Sequence, residues 1–181
     1  WARSRGLGDV YKRQVLGLND IGFHEEIIED KKTIVENSIA KVRFVKERTG
    51  YDCFADDTGL EVNALNGKPG VFSKRFAGQN ASSDDNINKL LHMLKGKQDR
   101  SAQFKTVISL FNNGEIQTFE GICKGNIGFK RSGNFGFGYD PIFIPENKNM
   151  SFGQMSLEEK NKIAHRARAV NKLIGYLTNL Y

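Results

Sequence analysis

Residues 54–62 read FADDTGLEV. The apolar run YDCFA, residues 51–55, predicts a short buried strand that ends on two adjacent carboxylates, Asp56 and Asp57. Thr58-Gly59 is then expected to turn the chain toward a second short strand at 60–63. The ends of strands are where α/β sheets usually place ligands. Two neighbouring carboxylates repel unless a proton or a cation offsets their charge. A hard divalent cation, shared between carboxylate and phosphate oxygens, suits such a pair. An Asx-type turn with two solvated aspartates would also account for the segment.

Upstream, TIVENSIAKVRFVKER (33–48) has helical spacing, with Ile34, Val35, Ile39, Val42 and Val45 on its apolar side. Thr33 and Glu36 have capping-box spacing, and Gly50 suits the helix stop. Glu36 therefore has two readings, a structural cap or a third carboxylate beside Asp56 and Asp57. Downstream, residues 64–82 read as loop and 83–95 as a helix with Ile87, Leu90, Leu91 and Leu94 inward. Residues 102–111 and 115–123 predict a hairpin, because Asn113-Gly114 is a type I′ turn signal. PIFI (141–144) reads as a strand. Residues 157–180 read as one last helix, opened by Ser156 and Glu159, with Ile163, Ala167, Val170, Ile174 and Leu177 as its core stripe. Helices interspersed with strands predict an α/β fold around a mixed sheet.

Two further segments carry candidate chemistry. GNFGFGYDPIF (133–143) offers glycines that permit close backbone approach and aromatic faces at Phe137 and Tyr139. No helix pattern follows it, so it is not a dinucleotide fingerprint. A purely structural loop is its other reading. SLEEKNKIAHRARA (156–169) places Lys160, His165 and Arg166 early in a helix, where anions rather than cations are favoured by the dipole. An anion site would use both the helix terminus and these side chains; a solvated basic face is the alternative. Lys160 and His165 are five residues apart, which does not place them together on one helix.

The 181 residues fit a single domain, or a domain with a small lobe, and their composition is ordinary for a globular protein. No run is apolar enough for a membrane span. Cys53 and Cys123 form neither a disulfide framework nor a zinc pattern, so a reducing cytoplasm is the simplest setting. The net charge is +6, but Arg3, Arg5, Lys12 and Arg13 against Asp9 supply half of it within residues 1–14. No stretch interleaves basic and aromatic residues as a nucleic-acid platform would. Residues 1–14 follow neither a strand nor a helix period and are expected to be a non-native segment.

ENSIAKVR, FADDTGLEVNALNGKPGVFSKRFAG, GFGYDPIF and EEKNKIAHR occur in one order, and together they resemble the inosine triphosphate pyrophosphatase family over residues 16–181. The resemblance implies an elongated mixed sheet flanked by helices, with the substrate in a cleft between two lobes. It implies Mg²⁺-dependent hydrolysis of ITP, dITP and XTP to the monophosphate and pyrophosphate, in a homodimer. By motif, Asp57 would activate water and bind metal, with Asp56 and Glu36 completing the metal site. Thr58, Phe137, Gly138, Tyr139, Asp140, Lys160, His165 and Arg166 would hold the nucleotide. Ser73 and Arg75 would lie near the nucleotide or the dimer surface. The family opens with a strand and a Ser/Thr-x-Asn-x-x-Lys loop that grips the triphosphate. This chain carries neither, so residues 15–181 are expected to be the pyrophosphatase domain without them. Ala164 stands where the family usually has serine. An inactive fragment that only binds purine nucleotide, and a pyrophosphatase for pyrimidine or modified nucleotides, are the competing readings.

Overall fold

The computed structural model describes residues 14–179. The expectation for residues 1–14 thus falls, apart from Gln14, outside the described residues. Helix α1 (Ile34–Thr49) starts and stops where its sequence indicates. The Thr33 hydroxyl accepts the Glu36 amide, the Glu36 carboxylate accepts the Thr33 amide, and Gly50 closes the helix at φ 72°. Ile34, Val42 and Val45 are buried as expected, but Asn37 and Ser38 are buried with them. The inward face of α1 is therefore partly polar.

Strand β1 (Cys53–Val62) runs unbroken through Asp56-Asp57-Thr58-Gly59. The turn expected at Thr58-Gly59 does not form. Gly59 is there for close approach instead: a Cβ on it would lie 2.5 Å from the Gly70 carbonyl oxygen of strand β2 (Pro69–Gly70). Helix α2 (Ser83–Met93) buries Ile87 and Leu90, with Leu94 just beyond its end. Strands β3 (Ser101–Asn112) and β4 (Glu115–Ile127) form the expected hairpin, with Asn113 at φ 51° and Gly114 at φ 85°.

With β5 (Phe143–Pro145) the sheet order is β2-β1-β3-β4-β5. The fold is α/β with helices on the sheet, as expected. Every pairing among the described residues is antiparallel, however, rather than mixed. The cause is visible in the register: the long connection between β1 and β3 leaves at Val62 and re-enters opposite it at Ala102, the same end of the sheet.

The single last helix expected over 157–180 is two. Helix α3 (Leu157–Ile163) stops at Ala164, which is extended at ψ 148°, and α4 (His165–Asn179) starts anew. The break rotates the buried stripe of α4 to Ala169 and Leu173, which pack on Ile108 and Leu110, and leaves Ile174 exposed. A larger apolar cluster, including Leu60, Phe104, Tyr139, Phe143, Phe152 and Ala164, fills the other end of the sheet. Between these clusters opens a cleft.

Candidate active site

The cleft, of about 1150 Å³, is lined by Asp56, Asp57, Thr58, Gly59 and Leu60 of β1 together with side chains of α1, the 137–140 loop, α3 and α4. In a strand, successive side chains face opposite sides. Asp56 and Asp57 therefore part company. Asp57 is 6 % exposed and faces α1, where its carboxylate accepts from Lys41 Nζ at 2.9 Å and from Asn37 Nδ2 at 3.3 Å. Asp56 lies toward α4 and pairs with Arg166 at 3.1 Å. Burial pushes the Asp57 carboxyl above the ordinary carboxylate value, against the pull of Lys41. Burial alone would lower the Lys41 ammonium, but the Glu29 and Asp57 carboxylates outweigh it and raise it. The site thus holds a cation beside a carboxyl whose burial favours its protonated form.

Glu29 completes this group. Its Oε1 lies 2.7 Å from Lys41 Nζ, which also donates to the Asp56 carbonyl oxygen at 2.9 Å. Three oxygens from Glu29, Asp56 and Asp57 so converge on one cationic nitrogen. Glu36, expected here, is not brought in: its carboxylate is engaged by Thr33 at the α1 cap. The two readings of Glu36 resolve to the cap, and the Asp56 carboxylate faces the other helix layer. Among the described residues, no group of three His, Cys, Asp or Glu side chains would cage an ion alone. Two carboxylates converging from one side suit a hard cation whose other positions are filled by water and phosphate oxygens.

The other expected residues line the cleft. Thr58 Oγ1 lies 2.7 Å from Thr106 Oγ1 across the β1–β3 pair and 3.5 Å from Arg166 Nη2. Asp140 is buried, accepts the Phe137 amide at 2.9 Å and forms an ion pair with Lys160. Gly136, at φ 77°, makes room for that carboxylate; a Cβ there would lie 2.0 Å from Asp140 Oδ2. The Lys160 ammonium also sits over the exposed Phe137 ring, 4.9 Å from its centroid. Gly138 adopts φ 58° with open space where a side chain would be. Tyr139 is buried, its hydroxyl donates to the Ser73 carbonyl oxygen at 2.8 Å, and burial pushes its ionisation well up.

On one continuous helix, Lys160 and His165 would project about 140° apart. The extended Ala164 brings both to the cleft. His165 is 5 % exposed and stacks on Phe104, centroids 4.6 Å apart. Burial, with Arg166 and Lys160 nearby, lowers its pKa to about 3, so the imidazole is neutral. Its Nδ1 is buried without a hydrogen-bond partner. Gly121 on β4 seats this turn: a Cβ there would lie 2.0 Å from the His165 carbonyl oxygen. Ser73 supports the β1 end, accepting the Leu60 amide at 2.9 Å, and Arg75 donates to the Glu29 carbonyl oxygen at 2.7 Å. Glu29, Phe104 and Thr106 lie in no motif that points to the site, whereas Asn37 and Lys41 belong to ENSIAKVR, which does not by itself assign them a role there. Asn37 and Lys41, four apart on α1, left a signal in the polar interruption of its apolar face.

The Ham1 family model matches residues 4–176. A dITP/XTP pyrophosphatase of Flavobacterium psychrophilum is 54 % identical over 166 residues, 92 % of this chain and 87 % of the relative. One from Porphyromonas gingivalis is 46 % identical over 167 residues, 92 % and 86 % of the two chains. The solved structure of the Staphylococcus aureus Ham1 protein superposes with a TM-score of 0.89 at 39 % identity, covering 93 % of this chain and 88 % of that one. A HAM1 protein from Coxiella burnetii gives 0.83 at 40 % identity, covering 86 % and 81 %. With identity sustained over most of both sequences, the chain belongs to the Ham1 family.

Proposed function

We propose that this protein hydrolyses non-canonical purine nucleoside triphosphates, ITP, dITP and XTP, to the monophosphate and pyrophosphate. The observation that carries the reading is one cleft with an acid–lysine group at one end and a neutral, hydrogen-bond-deficient histidine at the other. The names of the relatives, dITP/XTP pyrophosphatases, support the same substrate class.

Water attacks the α-phosphorus and pyrophosphate departs. Asp57, a carboxylate that lines the cleft beside Lys41, orients that water and accepts its proton. Lys41 stays charged and faces the developing phosphate charge. Arg166, held by Asp56, supplies a second cation at the opposite wall. Mg²⁺ would be held by Asp57 and Glu29, and when bound it offsets phosphate charge as a Lewis acid. The base enters between Phe137 and the His165–Phe104 stack. A neutral imidazole whose N–H faces the base donates one hydrogen bond to a 6-keto oxygen, whereas a 6-amino group meets that N–H donor to donor unless the ring changes tautomer.

The reading includes a homodimer in the cytoplasm. The family resemblance supports the dimer, and free Cys53 and Cys123 fit a reducing compartment. No helix among the described residues is long and apolar enough to cross a membrane. Pyrophosphate release from ITP, XTP, GTP, ATP and UTP with Mg²⁺ tests the function. Preference for ITP and XTP is expected. Faster turnover of UTP would replace the reading with a pyrimidine pyrophosphatase, and binding of ITP without turnover would leave a nucleotide-binding protein. Sedimentation velocity tests the dimer.

A further inference from the structure

Glu29 lies in a segment without regular secondary structure, between the turn at Leu18–Ile21 and α1, yet its carboxylate faces Lys41, which is paired with the buried Asp57 in the cleft. Something must hold it there against chain entropy. Lys41 holds the carboxylate end. The backbone end is held by Arg75, whose Nη2 donates to the Glu29 carbonyl oxygen at 2.7 Å while Nη1 lies 3.9 Å from Glu29 Oε2. The guanidinium also lies 5.4 Å from the centroid of the exposed Phe72 ring. We propose that Arg75 is a positioning residue: from the Ser73–Arg75 turn, its guanidinium holds the Glu29 segment so that the Glu29 carboxylate faces Lys41 and Asp57.

The turn that carries Arg75 is anchored at three points. The Ser73 hydroxyl accepts the Leu60 amide and donates to the Gly70 carbonyl oxygen at 2.6 Å, which ties the turn to β1 just past Asp57. The Ser73 carbonyl oxygen accepts the Tyr139 hydroxyl, which ties it to the base-side loop. Arg75 is thus mounted on the same backbone that fixes both ends of the cleft. Only an arginine suits this position. Its planar, permanently charged fork can bond a carbonyl and face a carboxylate of the same residue, which lysine cannot do from one nitrogen with the same geometry.

The inference rests on Glu29 and Asp57 being the metal-holding pair of the proposed function. Its test is Mn²⁺ binding to the nucleotide-free protein, followed by electron paramagnetic resonance, beside kcat and KM for ITP. Arg75→Met is expected to weaken Mn²⁺ binding about tenfold, as loss of an outer-shell partner does, and to lower kcat more than it raises KM. Glu29→Gln should weaken Mn²⁺ at least as much, and the double variant no more than Glu29→Gln alone, because Arg75 acts through Glu29. Arg75→Lys should recover part of the loss. Arg75→Gln replaces the methionine variant if thermal melting shows that the latter fails to fold. Wild-type Mn²⁺ affinity in Arg75→Met or Arg75→Gln, wild-type affinity in Glu29→Gln, or additive losses in the double variant each overturn the inference. If the wild type hydrolyses no ITP while the Mn²⁺ pattern appears, the substrate reading fails and the role of Arg75 stands.

Discussion

Asp56 and Asp57 are adjacent in sequence, but their carboxylates serve opposite helix layers, Asp57 bonded to Lys41 of α1 and Asp56 paired with Arg166 of α4. A strand with period 2 allows nothing else, and the separation assigns them different roles. Asp57→Asn is expected to lower kcat for ITP by about 100- to 10,000-fold, the range for loss of a general base. Asp56→Asn should lower it far less, through looser placement of Arg166, which is exposed. Stability separates them too. The Asp57 carboxyl is raised in the folded state, so its ionised form weighs against folding once pH exceeds the ordinary value of 3.8. Asp57→Asn should therefore match or exceed the wild-type melting temperature at pH 7, with the difference shrinking as pH falls through the raised value. A lower melting temperature at pH 7 would contradict this account of Asp57.

His165 supplies the second prediction. Its folded pKa of about 3 lies below the ordinary 6.5, chiefly through burial and then through Arg166 and Lys160. The unfolded chain therefore binds the extra proton first. His165 contributes stability that is fully present above pH 6.5 and is lost as pH falls from there toward 3. His165→Phe keeps a ring to stack on Phe104 and removes the titration. Its melting temperature should drop less than that of the wild type between pH 7 and pH 5. The same variant should lose about tenfold of the preference for ITP over ATP, near the worth of one hydrogen bond. Unchanged preference would take His165 out of base selection.

These two residues also show how much the sequence disclosed and where it stopped. Helix α1, the β3–β4 hairpin and α2 were legible because caps, periodicity and an Asn-Gly turn are local signals. Asp57 and the 137–140 loop were legible because they lie in long motifs. Gly59 reads as a turn in sequence because the carbonyl it accommodates belongs to Gly70, eleven residues on. The break at Ala164 has no local signal: IAHRA is good helix sequence, and tertiary seating of His165 against Gly121 accompanies the kink. Glu29 was invisible for the same kind of reason, since Arg75 and Lys41 bring it to the site from distant elements. Glu36 looked equally suited to metal and cap, and a local hydrogen bond to Thr33 decided it.

Gly121 and Gly175 make a matched pair of glycine predictions. A Cβ on Gly121 would lie 2.0 Å from the His165 carbonyl oxygen and 2.5 Å from the Ala169 amide, so α4 must move. Gly121→Ala should cost about 1–3 kcal/mol, the range for overpacking, and should lower ITP turnover because His165 and Arg166 ride on that helix. Gly175 lies within α4, with nothing within 4 Å of an added Cβ. Gly175→Ala should stabilise by about 0.4–1 kcal/mol through the unfolded chain and leave turnover unchanged. Urea unfolding of both variants measures this; a Gly121→Ala protein as stable and active as wild type would refute the close seating of α4.

The Lys160–Asp140 pair is buried among aromatic rings, with Asp140 also holding the Phe137 amide. Removing one partner strands a charge. Lys160→Met should destabilise by roughly 3–5 kcal/mol, as breaking a buried pair does. Asp140→Asn keeps an oxygen for the Phe137 amide and carries no charge. In a Lys160→Met background it should therefore restore much of the stability, since the stranded carboxylate is gone. Turnover should not return with it, because Lys160 faces the cleft beside Phe137 and supplies a cation there. A double-mutant cycle in urea, run beside ITP kinetics, separates the two effects. Recovery of stability without activity assigns Lys160 to the substrate as well as to the fold. Recovery of both would make the pair purely structural, and recovery of neither would place the cost in lost packing against Phe152 rather than in the charge left on Asp140.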